Sequence, residues 1–392
     1  MDLATFDWLL TRPGQAALEQ ARELTASGPA LRVGETLRRE LSADRAAAVL
    51  SQVDLRAHAT TKFGDLAERM YFTRDGLEQA TRLPVSRHRA ARIALAAPLG
   101  QGGPTVLDLG CGIGGDLIAL AEAGLTVAGI DLDPLRVAMA TANLRALDLP
   151  GAVAVRDGTT LDLDGFGVVF ADPARRTPQG RVFAPGDYAP PWSFVETLLE
   201  RTACVKVAPG IPRDLVPDDV EAEWVSDHGE LKEASLWSGM LATCARRATV
   251  IREGGLASLT DEDDAGAGVV PLGRYLYEPD DAVIRAGLVT AVAGIVGGGL
   301  LDEHIAYLGA DRLVRTPFAR AYEVLETLPY REKALKAALR ERGIGRLTIK
   351  KRGVDIVPEQ LRRRLDLTGD TEATVVLTRV AGHGTTLLVR PL

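Results

Sequence analysis

The stretch Val106 to Asp116, VLDLGCGIGGD, sets how the surrounding chain is read. Val106, Leu107 and Leu109 surround one carboxylate and read as a short buried strand; glycines at 110, 112, 114 and 115 follow, and then the helical run LIALAEA begins. Glycines between a strand and a helix let the backbone turn sharply and let a ligand approach it closely. The spacing Gly110-x-Gly112-x-x-Gly115 also satisfies the dinucleotide fingerprint, which by itself is a weak sign. Asp108 separates the alternatives. Two positions before the first glycine, its carboxylate would repel a pyrophosphate and favour a ligand with positive charge and no phosphate.

Working outward, apolar β-rich runs recur at 105–109, 126–131, 152–157, 167–172 and 203–208, with helical segments such as 115–123 and 134–147 between them. That alternation predicts an α/β fold with a parallel, doubly wound sheet. The early strands end on acids. Asp131 closes the second, 23 residues after Asp108, a spacing that suits an acceptor of hydrogen bonds from ribose hydroxyls at the neighbouring strand tip. Asp157 closes the third and suits an adenine amino group. S-adenosylmethionine, with a sulfonium, an ammonium and no phosphate, fits these acids. Asp116 and Asp133 stand close by, and capping of nearby helices explains them equally well.

Residues 1–85 are rich in Ala, Leu, Glu and Arg at helical spacing, with Leu37, Leu41, Ala48 and Leu50 as core candidates and Ser42 as a cap, which predicts a helical N-terminal domain. Its end, KFGDLAERMYFTRDGLEQAT, holds Lys62, Phe63, Tyr71 and Phe72, which either pack or face a substrate. Further strands near Glu223 to Ser226 and Ala248 to Ile251 complete a domain over 86–253. Residues 254–319, which include TDEDDAGAG, read as a linker and connecting segment, in which RYLYEPDDAVIRAGLV looks like a strand turning into a helix. A small basic α/β module is expected over 320–392.

The 392 residues, 46% hydrophobic and 25% charged, suit a soluble protein of two or three domains. Cys111, Cys204 and Cys244 form no CxxC pair, so neither a disulfide framework nor a zinc ribbon is expected, and a reducing cytoplasm fits. The five histidines lack metal-ligand spacing, so no metal is expected. The opening MDLATFDWLL carries acid where a secretory signal carries base. The longest uncharged run, Ala286 to Leu301, has 16 residues and five glycines, short for a membrane span. A net charge of −7 argues against a generic nucleic-acid binder, yet 331–364 holds 12 Lys/Arg against 4 Asp/Glu. That local excess is an electrostatic footprint for a polyanion, although for any single residue a solvated helix face is the competing explanation.

Over about residues 90–250 these features resemble the class I S-adenosylmethionine-dependent methyltransferases, with LDLGCGIGG the most specific part. The helical leader, the DPARR corner at 172–176 and the basic IKKRG block at 349–353 are similar to bacterial methyltransferases carrying a THUMP-like C-terminal domain. The leader and the GIGGD loop are also similar, more distantly, to trimethylguanosine-synthase-type enzymes. The resemblance implies a Rossmann-like sheet and S-adenosylmethionine as cofactor, bound by Asp108, Gly110, Gly112, Gly114, Asp131 and Asp157. THUMP domains bind RNA, so it also implies an RNA partner, with Lys62, Phe63, Arg175, Lys350, Lys351 and Arg352 as substrate-binding candidates.

In methyltransferases that modify exocyclic amines, the fourth strand ends in a carboxylate or amide, then Pro-Pro, then an aromatic. The acid and the following carbonyl accept hydrogen bonds from the amine, and the ring stacks on the base. Here Asp172 and Pro173 match as the catalytic pair, while Ala174 replaces the second proline and Arg175 the ring. A guanidinium lies flat on a base or grips a phosphate, so Arg175 and Arg176 are candidates for either role. Pairing with the acidic stretch 214–233 competes with both. Phe63, Tyr188 and Trp192 are further candidates for stacking. The expected function is methyl transfer to a nitrogen of an RNA base; the alternatives are a small-molecule or protein acceptor, or a non-catalytic RNA-binding protein on the same fold.

Overall fold

The computed structural model describes residues 1–27, 30–96, 105–175 and 188–392, with the backbone alone at 27, 30–32, 174–175 and 188–189. The chain forms two compact units, Met1–Val220 with Ser235–Thr243, and Glu221–Ala234 with Cys244–Leu392.

The first unit opens with six helices: α1 (Leu3–Leu9), α2 (Arg12–Ser27), α3 (Ala30–Glu40), α4 (Ala43–Phe63), α5 (Arg74–Gln79) and α6 (Leu83–Ala96). Local caps set their starts. Asp2 accepts from the Thr5 amide at 2.8 Å, and Thr73 from the Gly76 amide at 3.0 Å. Along α4, Ala46, Val49, Ala59 and Phe63 recur at helical spacing and are buried. There follow β1 (Thr105–Leu109), α7 (Gly115–Glu122), β2 (Thr126–Asp131), α8 (Pro134–Ala146), β3 (Ala152–Val155), β4 (Val168–Ala171), β5 (Ala174–Arg175), β6 (Tyr188–Ala189), α9 (Trp192–Leu199) and β7 (Ala203–Val207). Five of these strands pair in the order β7-β4-β1-β2-β3, all parallel, which is the Rossmann-like sheet expected. The opening helices pack into the core of the sheet. Phe6, Leu9, Leu37 and Phe63 belong to one hydrophobic cluster with Val106, Ile113, Leu117 and Met139, because the helices carry too much apolar surface to bury among themselves.

The second unit holds β8 (Glu221–Asp227), the start of β9 (Glu230–Trp237), β10 (Arg246–Arg252) and β11 (Gly255–Thr260), with β10 parallel to β8 and antiparallel to β11. It continues through β12 (Tyr275–Pro279), α10 (Asp281–Ala286), α11 (Val289–Val296), β13 (Gly299–Asp302), β14 (Ile305–Ala310), β15 (Ala319–Leu328), α12 (Glu332–Glu341), β16 (Ile344–Lys351), α13 (Pro358–Leu365), β17 (Thr371–Val380) and β18 (His383–Pro391). Seven strands pair in the order β13-β14-β12-β15-β18-β17-β16. Residues 254–319 are therefore not a linker: they supply β11, two helices and three strands of that sheet. Glycines break these elements into pieces too short for sequence periodicity to reveal. No helix among the described residues is long and apolar enough to cross a membrane.

Strand alternation gives this sheet two apolar faces. Leu335 and Leu339 of α12 and Leu361 and Leu365 of α13 cluster with Leu347, Ile349, Val375 and Leu377. A second cluster joins Leu276, Tyr307, Tyr322, Val376 and Val389. The sheet curls, since the Ala381 amide donates to the Leu301 carbonyl and the Gly382 amide to Asp302 Oδ2, each at 2.9 Å, bringing the turn after β17 to β13.

Candidate active site at the strand tips

Register brings the acids together. Leu109 pairs with Ile130 on one side and Ala171 on the other, so Asp131 and Asp172, each one residue further on, flank Gly110. Strand order reverses at β1, the crevice where open α/β sheets bind ligands. Asp108 beneath it is 1% exposed, and among the described residues its Oδ2 accepts no hydrogen bond. Burial first, then the carboxylates of Asp116 and Asp172, push its pKa well above the ordinary carboxylate range. Asp116 is not a cap but an ion-pair partner of the buried Arg89, which lies 4.4 Å from the Phe170 ring centre. An orphaned buried acceptor costs about 1–3 kcal/mol or more, and a cationic donor relieves it. The ammonium of S-adenosylmethionine fits that requirement.

The glycine loop is tied to β2. The amides of Gly110 and Cys111 both donate to the Ile130 carbonyl at 2.9 Å, and the Gly112 amide donates to Asp131 Oδ2 at 3.0 Å. Asp131 Oδ1 accepts from the Asp133 amide at 2.9 Å, so one carboxylate holds the loop and the approach to α8 together. Its oxygens retain lone pairs for ribose hydroxyls. Gly110 and Gly112 have φ of +80° and +56°, and among the described residues a Cβ on either would meet nothing within 4 Å. The left-handed backbone there favours glycine, and the space beyond is open to a ligand. Burial and the nearby Asp108 push the Cys111 thiol up, which suits packing and not nucleophilic attack. Asp133 caps α8, accepting from the Leu135 amide at 2.8 Å.

Asp157 departs from its expected place. The strand stops at Val155, and the exposed carboxylate accepts from the Thr159 hydroxyl at 2.7 Å and the Thr159 amide at 2.9 Å, which hold its pKa below the usual range. A Cβ on neighbouring Gly158 would lie 2.9 Å from Leu109 Cδ2, so this loop borders the crevice while its acid turns to Thr159.

Asp172 and the buried Pro173 follow β4. The Asp172 side chain is 34% exposed, and its Oδ2 accepts from Lys206 Nζ at 2.6 Å. That ammonium also donates to Thr81 Oγ1 at 3.1 Å. Among the described residues, Asp172 Oδ1 accepts no hydrogen bond. Lys206 lies on β7, one residue after Val205, the partner of Ala171. Sequence reasoning passed over it, although a lone ammonium inside the apolar run ACVKVA was the available signal. Asn143 and Gln52 were also missed. Buried Asn143 accepts from the Tyr71 amide at 2.7 Å and donates to the carbonyls of Tyr71 at 3.1 Å and Ile113 at 2.8 Å; Gln52 clasps both backbone groups of Phe72. Among the described residues no three His, Cys, Asp or Glu side chains gather as metal ligands.

Known families match along the chain: a methyltransferase domain over 106–176, a THUMP domain-like module over 319–391, and a domain of unknown function over 2–59. In Mycobacterium tuberculosis strains CDC 1551 / Oshkosh and H37Rv, a protein described as an uncharacterized S-adenosylmethionine-dependent methyltransferase is 38% identical over 366 residues, 89% of this chain and 98% of the relative. The chain belongs to the S-adenosylmethionine-dependent methyltransferases. A crystal structure from Porphyromonas gingivalis W83, also described as a methyltransferase, is similar in fold at a TM-score of 0.71 and 23% identity, covering 89% of this chain and 91% of the other.

The methyltransferase uses the remaining predicted residues unevenly. Lys62 donates to the carbonyls of Leu77 at 2.7 Å and of Glu78 and Ala80 at 2.8 Å, so it caps the end of α5 and does not project toward a substrate. Phe63 is 1% exposed, against Phe72 and Gly115, so it supports the loop from behind and offers no stacking face. Arg175 stands opposite Tyr188 in a two-strand ladder; Arg176 lies outside the described residues. Trp192 is mostly buried at the start of α9. In the second unit of the methyltransferase, Lys350 donates to Glu278 Oε2 at 2.6 Å, Arg352 lies 3.7 Å from Asp281, and Lys351 is exposed. The basic block is also partly neutralised by its own unit, through Arg340 with Asp366, Arg342 with Glu326, Arg346 with Glu372 and Arg364 with Glu332.

Proposed function

We propose that this methyltransferase transfers the methyl group to a nitrogen of an RNA base, with Asp172 and Pro173 orienting the acceptor. The observation that carries the proposal is the state of Asp172: Lys206 holds one carboxylate oxygen, and among the described residues the other accepts no hydrogen bond, at the strand tip beside the glycine loop. The THUMP domain-like match over 319–391 supports RNA as the acceptor, since THUMP domains bind RNA.

When bound, S-adenosylmethionine supplies a methyl group already activated on a sulfonium. Asp108 holds the ammonium in place of its absent hydrogen-bond donor. Asp131 takes the ribose hydroxyls, and the loop backbone at Gly110, Gly112 and Gly114 allows close approach. Asp157, with one strand-edge loop to itself, takes the adenine amino group by turning from Thr159. Asp172 Oδ1 accepts an N–H of the base amine, and the Pro173 carbonyl accepts the second. Together they aim the nitrogen lone pair along the line of transfer. Catalysis is then mostly positioning.

Asp172→Ala, assayed with labelled cofactor and RNA from cells lacking the gene, is expected to lower transfer about 100-fold or more. S-adenosylhomocysteine affinity, measured by calorimetry, is expected to stay within about twofold. Undiminished transfer would remove Asp172 from the reaction, and labelling of no RNA by wild-type enzyme would remove RNA as the acceptor.

A further inference from the structure

The second unit has a cavity of its own, about 470 Å³, lined from β10, the segment before β15, and strands β15 to β18. Arg252, Arg315, Arg320 and Lys350 line it. Lys350 pairs with Glu278, and Arg252 lies 3.7 Å from Asp280. Among the described residues neither Arg315 nor Arg320 is within ion-pair distance of a carboxylate, and both are exposed. Even with a carboxylate at Leu392 counted beside Glu278 and Asp280, the wall keeps net positive charge.

The other polar lining is hydroxyl. Thr348 of β16 and Thr374 of β17 are direct cross-strand partners, and Thr316 joins them from the segment before β15. Guanidinium forks with hydroxyls around them form a donor set matched to phosphate oxygens. The volume falls within the range of small-ligand sites. It exceeds what one phosphate needs and leaves space for an attached sugar or base.

We propose that this cavity is a phosphate-ester site, in which Arg315 and Arg320 grip the phosphate and Thr348 and Thr374 donate to its oxygens. Identifying the ester as a nucleotide of an RNA strand rests on the RNA reading above; the donor set itself is equally matched to a free nucleotide.

The test uses the full chain and a fluorescein-labelled single-stranded oligoribonucleotide read by anisotropy, with AMP as competitor. Arg315→Glu/Arg320→Glu is expected to weaken oligonucleotide binding about tenfold or more and to flatten the log–log salt dependence by about 1.4, two contacts at about 0.7 each. Arg315→Gln/Arg320→Gln is expected to lose less. Unchanged melting temperature and S-adenosylhomocysteine affinity show that both variants fold. AMP is expected to displace the oligonucleotide from wild type. Wild-type affinity and an unchanged KM for RNA in the folded Glu variant overturn the site and leave the RNA reading standing. AMP binding that the Glu variant loses, in a protein that neither binds nor methylates RNA, supports the site with a free nucleotide as its ligand and overturns the RNA reading.

Discussion

Near the tip of β1 a carboxylate is buried with one oxygen unbonded among the described residues, whereas in the cavity of the second unit two guanidiniums stand exposed with no carboxylate among the described residues in ion-pair reach. The first arrangement is paid in folding: Asp108 loses its water whether or not a cation is present. The second costs the fold little, because Arg315 and Arg320 stay hydrated until a ligand comes. A buried acid therefore recognises by relief of desolvation, which salt barely touches. Exposed cations recognise by long-range attraction, which salt screens within about 10 Å at 0.1 M.

The largest effect that sharpens this contrast is on pH. Below its raised pKa Asp108 is neutral and offers an ammonium little, so cofactor affinity should rise with pH by up to about tenfold per unit as the pH approaches the raised value. A proton should be released on binding, which calorimetry in buffers of different ionisation enthalpy detects. Without ligand the stability moves the opposite way. The folded state keeps the Asp108 proton longer than the unfolded state, so the contribution is full below 3.8 and is lost as pH rises through the raised value. Asp108→Asn should flatten both profiles. A flat wild-type profile would erase the difference between the two regions.

Asp131→Ala comes next. Removing an acceptor that also anchors the Gly112 and Asp133 amides should weaken S-adenosylhomocysteine binding by about 1–3 kcal/mol, read as Kd at fixed salt. Full retention of affinity would break the ribose assignment. The smallest effect is expected at Lys206→Met, where Asp172 loses its clamp. Transfer should fall roughly tenfold with cofactor affinity unchanged, because a less ordered carboxylate aims the acceptor less well.

The strand–glycine–helix grammar made β1, the loop, Asp108, Asp131 and Asp172 legible in the sequence, since each sits at a fixed offset from a strand end. Long-range pairing was not legible. Lys350 finds Glu278 across 72 residues, and Lys206 finds Asp172 across 34, separations at which local pattern carries no information. Lys62 and Phe63 read as substrate candidates because they stand in the leader stretch KFGDLAERMYFTRDGLEQAT that carries the family resemblance, where packing was the alternative. In space Lys62 turns to the α5 carbonyls and Phe63 to the core. Within 254–319 the stretch RYLYEPDDAVIRAGLV showed its strand and helix, β12 and α10, whereas β11, β13 and β14 stayed hidden because each is four to six residues long and carries glycine. Asp157 lay where a strand was expected to end, and an Asx turn onto Thr159 shortened that strand by two residues.

Asn143 carries a consequence for modularity. One buried amide fastens Tyr71 in the leader to Ile113 in the glycine loop. A graft that exchanged the opening helices for another helical leader would have to bring its own partner for Asn143, or leave the two hydrogen bonds to Tyr71 unmade. The opening helices and the sheet therefore share one hydrogen-bonded core, and a cut after the helices would pass through it.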